Sequence, residues 1–231
     1  MKPICLVTGV GPGTGQAIVK RFAADYDVAM IARNEERLAT LQAETENTHT
    51  FVCDVSDSAA LCDTISQIRT DLGDPEVIIH NAVGGAFGDF MSITPKTLQK
   101  NFEVNTMALL QLGQALVPSM MEAGKGALIC TGNTSAFRGK ANFAGFAPTK
   151  AAQRILAESM ARHAGPYGVH IAYVAIDAVI SVPWARERFK DQPDDFFCHP
   201  VDIADHVWNV AHQPRSAWTF ESVIRPFGET W

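Results

Sequence analysis

The run Thr8-Gly-Val-Gly-Pro-Gly-Thr-Gly15 is where residue types and spacing point most directly to chemistry. A short apolar run precedes it and a helical pattern follows, and in that setting glycine has a mechanical purpose. It permits positive φ in the turn, lets the backbone come close to a pyrophosphate, and lets the next helix pack against a sheet. The free N–H groups at the start of that helix, with their partial positive charge, then face the phosphates. A glycine pattern alone also reads as a surface turn, but its place between strand and helix favours a dinucleotide cofactor. Thr8, Gly9, Gly13, Thr14 and Gly15 are the expected contacts. At the end of the next apolar run stands Ala32-Arg33-Asn34. A carboxylate there would hold a ribose 2′-hydroxyl, whereas Arg33 suits a 2′-phosphate, so NADP(H) is expected over NAD(H). The alternative is a solvated arginine opening a helix.

The elements that must position these residues alternate. β-rich runs fall at residues 4–7, 28–32, 51–52, 77–79, 127–130, 170–176 and 222–224. Helical patterns fall between them, at 16–24, 35–44, 58–72, 147–164 and 203–211. Pro95 marks another helix start, followed by Leu98, Phe102, Leu109, Leu112, Leu116 and Met120 as one apolar stripe over a long helix. Such alternation forces parallel pairing. The expected fold is a single α/β domain over residues 1–231, a Rossmann-like doubly wound, mostly parallel seven-stranded sheet with helices on both faces. Residues 185–199 are the one atypical insertion and read as a lid or substrate loop. Trp184, Phe189, Phe196 and Phe197 give it an apolar character, so a small apolar substrate is expected. Asn105 falls on the apolar stripe, where an amide without partners would cost roughly 1–3 kcal/mol. Satisfaction by helix backbone is its plain structural explanation.

Composition excludes several functions. Hydrophobic residues make up 47% and charged residues 19%, which rules out a disordered or coiled-coil chain. A net charge of −6, without a basic run, argues against nucleic-acid partners. Apolar stretches are too short for a membrane span or a signal-peptide core, and a cytoplasmic setting is expected. The five cysteines (Cys5, Cys53, Cys62, Cys130, Cys198) are odd in number and never form C-x-x-C, so buried free thiols are expected and no metal site.

At this point the sequence resembles the short-chain dehydrogenase/reductase family over nearly its whole length. Thr8, Gly9, Gly13 and Gly15 match the family's T-G-x-x-x-G-x-G. Asp54-Val55 sits where the family contacts adenine, and His80-Asn81-Ala82-Val83 is similar to its N-N-A-G. Asn105 falls where the family has an active-site Asn that organises a water relay toward a Lys, and Ile203-Ala204-Asp205 is similar to its last helix. The resemblance implies cofactor contacts at Asn81, Ala82 and Ile180, and homodimers or homotetramers in which Leu110, Ile155 and Leu156 could serve the interface. It also implies that Lys150 binds the nicotinamide ribose.

The catalytic pair departs from the family's Tyr-x-x-x-Lys. Here it reads Phe146-Ala-Pro-Thr-Lys150, and Asn133 stands thirteen residues earlier, at the family's Ser. The segment from Asp177 to Val182 departs as well. The resemblance assigns Asn105, Lys150, Asn133 and Phe146 to the catalytic positions, the last two as substitutions. Phe146 has a ring but no proton to give, and a missing general acid costs ~10²–10⁴ in rate. Asn133 offers an amide N–H to a substrate oxygen. Asp177, His80, Lys150 or a water held by Asn105 and Lys150 are the candidate substitute proton sources, against the plain alternatives of His80 as hydrogen-bonded structure and Asp177 as a loop cap. Two readings stand at this level: an NADP(H)-dependent oxidoreductase with a modified site, or a non-catalytic NADP(H)-binding sensor or interaction subunit.

Overall fold

The computed structural model describes residues 2–228. Trp231 lies outside the described residues. β1 (Ile4–Thr8), α1 (Thr14–Phe22), β2 (Asp27–Ala32), α2 (Glu35–Glu44) and β3 (Thr48–Val52) form the first half. α3 (Ser58–Asp71), β4 (Val77–His80), α4 (Pro95–Phe102), α5 (Ala108–Ala123), β5 (Gly126–Asn133), α6 (Ala147–Ala164) and β6 (Val169–Ile176) follow. β7 (Val179–Ile180), α7 (Pro183–Arg188), β8 (Phe197–Cys198), α8 (Pro200–Ala211) and β9 (Glu221–Ile224) complete the chain order. The main sheet has seven strands in the order β3-β2-β1-β4-β5-β6-β9, all parallel. The direction of winding reverses between β1 and β4, which opens a crevice beyond their carboxyl ends.

Alternation along the strands builds two cores. Leu6, Ala29, Ile31 and Ile78 face one side with Leu109, Leu112, Leu116 and Ala157. Cys5, Val7, Val28, Met30 and Ile79 face the other with Ile18, Leu38, Ile203 and Val207. Period-two patterning of each strand sends neighbouring residues to opposite faces. Caps fix where helices begin: the Asn34 side chain accepts from Arg37 N–H on α2, Asp57 from Ala59 and Ala60 on α3, and Thr94 from Thr97 on α4.

Two expectations are corrected. The long helix from Pro95 is not continuous, because a π turn over Glu103–Met107 separates α4 from α5. That turn holds Asn105 fully buried while its side chain bonds outside the helix. Residues 185–199, expected as a lid or substrate loop, carry regular structure. They run through α7 into β8, which pairs in parallel with β7 and anchors Phe197 and Ala185 in buried positions. Cys62 is exposed, unlike the other four cysteines.

Candidate active site

The glycine turn between β1 and α1 is shaped by contacts that only glycine admits. Gly9 has φ +71, and a Cβ there would lie 2.5 Å from the Ala82 Cα and backbone N. A Cβ on Gly15 would collide with the Gly9 carbonyl, and one on Gly13 would meet Val182 Cγ1 at 2.6 Å. Around Gly11 the space is open. The loop is thus packed tight against the end of β4 and left clear on its outer side. α1 begins at Thr14 without a side-chain cap, so its first N–H groups point out of the helix. The Thr14 hydroxyl is buried and has no hydrogen-bond partner among the described residues. A buried, unpaired hydroxyl at an uncapped helix start fits an anionic phosphate group.

Asn81 ties this cradle together. Its Nδ2 donates to the Gly9 carbonyl at 2.9 Å, and its Oδ1 accepts from Thr131 Oγ1 at 2.9 Å. Thr8 Oγ1 shares a hydrogen bond with His80 Nδ1 at 3.0 Å and accepts from Ala82 N at 3.3 Å. Burial, and next the charge of Lys150, push the His80 pKa down to about 3, so the ring is neutral and structural. After β3, Asp54 accepts from the backbone and hydroxyl of Ser56. Burial raises its pKa, but Ser56, Lys100 and Arg33 outweigh this and lower it overall. Val55 lies in the core beside it. Arg33 is exposed at the end of β2. A cleft of about 300 Å³ runs past Gly11, Asn34 and Arg37. Ile180 sits in β7, and Val182 two residues on touches the glycine turn.

Asn105, Lys150 and Gln153 meet below this crevice. Asn105 Oδ1 accepts from Gly84 N at 2.9 Å, while Nδ2 donates to Gly84 O at 3.0 Å and Thr149 Oγ1 at 2.8 Å. Lys150 is 2% exposed, and its Nζ donates to Gln153 Oε1 at 2.6 Å and Thr131 O at 3.4 Å. Burial lowers the Lys150 pKa to about 8, with Cys130 opposing. Phe146 is buried one turn before it, and Lys150 Nζ lies 5.9 Å from the Phe146 ring centroid. Phe146 packs with Phe87 at 5.5 Å and Phe143 at 6.3 Å between centroids. Asn133 bonds the Ile176 carbonyl through Nδ2 and accepts from Ser135 N through Oδ1, so backbone engages both ends of its amide. Asp177 is joined to Thr134, Arg138 and Arg225.

The short chain dehydrogenase family model matches residues 3–193. The chain belongs to the short chain dehydrogenase family. Among family relatives, a sepiapterin reductase from Chlorobaculum tepidum is 27% identical, covering 98% of this chain and 97% of its own. An L-xylulose reductase from Mesocricetus auratus is 27% identical over 80% of this chain and 75% of its own. A metagenomic short-chain oxidoreductase solved in complex with NADP superimposes with a TM-score of 0.84 at 25% identity, with 97% of each chain covered. A short-chain dehydrogenase from Rhodopseudomonas palustris gives 0.83 at 29% identity, over 97% of this chain and 99% of that one. Within the family fold, the residues expected at the glycine turn, β4 and α6 come together around one crevice. Gln153, Thr131 and Arg37 belong to the same region and were not anticipated. Gln153 had one legible signal, a polar residue on the α6 face shared by buried Lys150 and Ala157.

Proposed function

We propose that this chain is an NADP(H)-dependent oxidoreductase whose cofactor cradle is intact and whose proton-delivery site is modified. The buried, unpartnered Thr14 hydroxyl at the uncapped start of α1 carries the cofactor reading. Arg33 and Arg37 flank the place where a 2′-phosphate would lie, which supports NADP(H) over NAD(H). When bound, the nicotinamide supplies or takes a hydride. The protein's part is orientation and charge: the glycine turn and Thr14 hold the pyrophosphate, and Lys150 offers an N–H to the ribose.

Phe146 holds the position of the family's acid, so an alkoxide formed in reduction receives no proton from that side chain. Asn133 spends its amide on β6 and on Ser135. The relatives named as reductases support the reductive direction. An apolar substrate is favoured by the Phe87–Phe143–Phe146 cluster. A homodimer or homotetramer through α5 and α6 goes with the same reading, since Ile155 is 59% exposed.

Fluorescence titration with NADPH and NADH tests the cofactor assignment. Tighter NADPH binding is expected, and Arg33→Ala should erase most of the difference. Failure to bind either nucleotide would overturn the proposal, and tighter NADH binding would overturn the assignment to Arg33.

A further inference from the structure

Lys150 is a buried cation whose protein acceptors are both neutral. Two of its three N–H groups go to the Thr131 carbonyl and Gln153 Oε1. Gln153 is itself fully buried, and its Nε2 donates to the Asn105 carbonyl at 2.6 Å. That carbonyl belongs to the π turn, a local widening common at functional sites. One side chain therefore spans the whole distance from the ammonium to the turn. An amide accepts at one end and donates at the other, with no proton to release at ordinary pH.

We propose that Gln153 is the positioning residue of this site, a neutral strut that fixes the Lys150 ammonium against the π turn and fills the span where the family resemblance places a water relay. The inference rests on the cofactor reading above. Lys150 then acts through charge and one remaining N–H toward the cofactor, and it is not the terminus of a proton wire. The titratable groups facing it are Cys130 from β5 and His80 from β4. Burial pushes the Cys130 thiol up to about 12 and, as described, leaves His80 neutral. Neither supplies a compensating negative charge near neutral pH, so a carboxylate at position 153 would change the ammonium strongly.

Two measurements separate the strut from the cofactor reading. The first follows the Lys150 ammonium by NMR of ¹⁵N-lysine-labelled protein, with no nucleotide added. The isosteric Gln153→Glu should raise the Lys150 midpoint by about one unit or more, as expected for an opposite charge in contact. The second is the NADPH dissociation constant against pH. In the parent it should weaken about eightfold between pH 7.5 and 9 as the ammonium discharges, and in Gln153→Glu by no more than about twofold. If Gln153→Glu does not fold, Gln153→Met keeps the volume, removes both hydrogen bonds, and should lower the midpoint. An unchanged Lys150 midpoint in the variant that folds would overturn the strut. So would an NADPH pH profile that Gln153→Glu leaves the same as the parent's. Absence of NADPH binding in the parent would overturn the cofactor reading, while the NMR titration would still judge Gln153.

Discussion

Phe146 and Lys150 occupy successive turns of one helix face, and the chemistry of the site depends on what each can do with a proton. The Phe146 ring is buried among Phe87 and Phe143. Adding a hydroxyl should restore an acid next to an ammonium already held in place. Phe146→Tyr is expected to raise NADPH-dependent reduction of aldehydes and ketones by ~10²–10⁴, read as NADPH oxidation across a carbonyl panel. Equal inertness of parent and variant would show that proton supply at this position is not what limits the site. Lys150 makes a separate prediction about stability. Its pKa falls from 10.5 in the open chain to about 8 in the fold, so between these values the unfolded chain binds more protons. Stability therefore rises with pH across that window, and the burial penalty is fully present below pH 8. Lys150→Met abolishes this slope. Relative to the variant, the parent should gain on the order of 3 kcal/mol from pH 8 to 10.5, measured by urea unfolding at each pH.

At the scale of elements, the carboxyl end of β5 is the tightest junction. Gly132 faces the Tyr173 ring of β6 so closely that a Cβ would overlap it. Tyr173 is fully buried, and its hydroxyl accepts from Asn133 N at 3.4 Å. Gly132→Ala should destabilise by ~1–3 kcal/mol through overpacking, seen as a lower urea midpoint with an unchanged slope. A neutral result would mean that the ring can move aside. The order of strands and helices was legible because it depends on local periodicity, and the glycine turn because its demand is on the backbone. Three features were not legible, for one physical reason. The π turn, the ordered segment 185–199 and the role of Gln153 are all decided by partners distant in sequence. Asn105 leaves regular helical geometry while bonding Gly84 and Thr149, and Phe197 is fixed by pairing of β8 with β7. In the sequence the Asn133 amide looks free for a substrate oxygen, because the Ile176 carbonyl that takes it is 43 residues away. Periodicity reports which face a residue occupies; it does not report which buried group reaches it first.

For the whole molecule, the cofactor crevice is the place where otherwise separate parts meet. β1 and β4 border it, α1 opens into it, and the Asn81 side chain links the glycine turn to β5. Val182, beyond β7, touches Gly13 from the far end of the chain order. A ligand seated there contacts both halves of the sheet, so its binding energy should stabilise the global fold and not one loop alone. At a concentration of 100 times its dissociation constant, such a ligand adds about 2.7 kcal/mol. For a domain of this size, each kcal/mol raises the melting temperature by roughly 2–4 °C. NADPH should therefore raise Tm by about 5–10 °C, and NADH at the same concentration by less. Arg33→Ala should bring the two shifts together by reducing that of NADPH, the outcome expected if the arginine pairs with the 2′-phosphate. Phe146→Tyr should leave both shifts in place, because the substitution leaves the glycine turn and Arg33 untouched. Differential scanning fluorimetry on the three proteins reads all four comparisons. A Tm that ignores NADPH would mean that the crevice does not close over a nucleotide, and the shared role of its borders would fall with it.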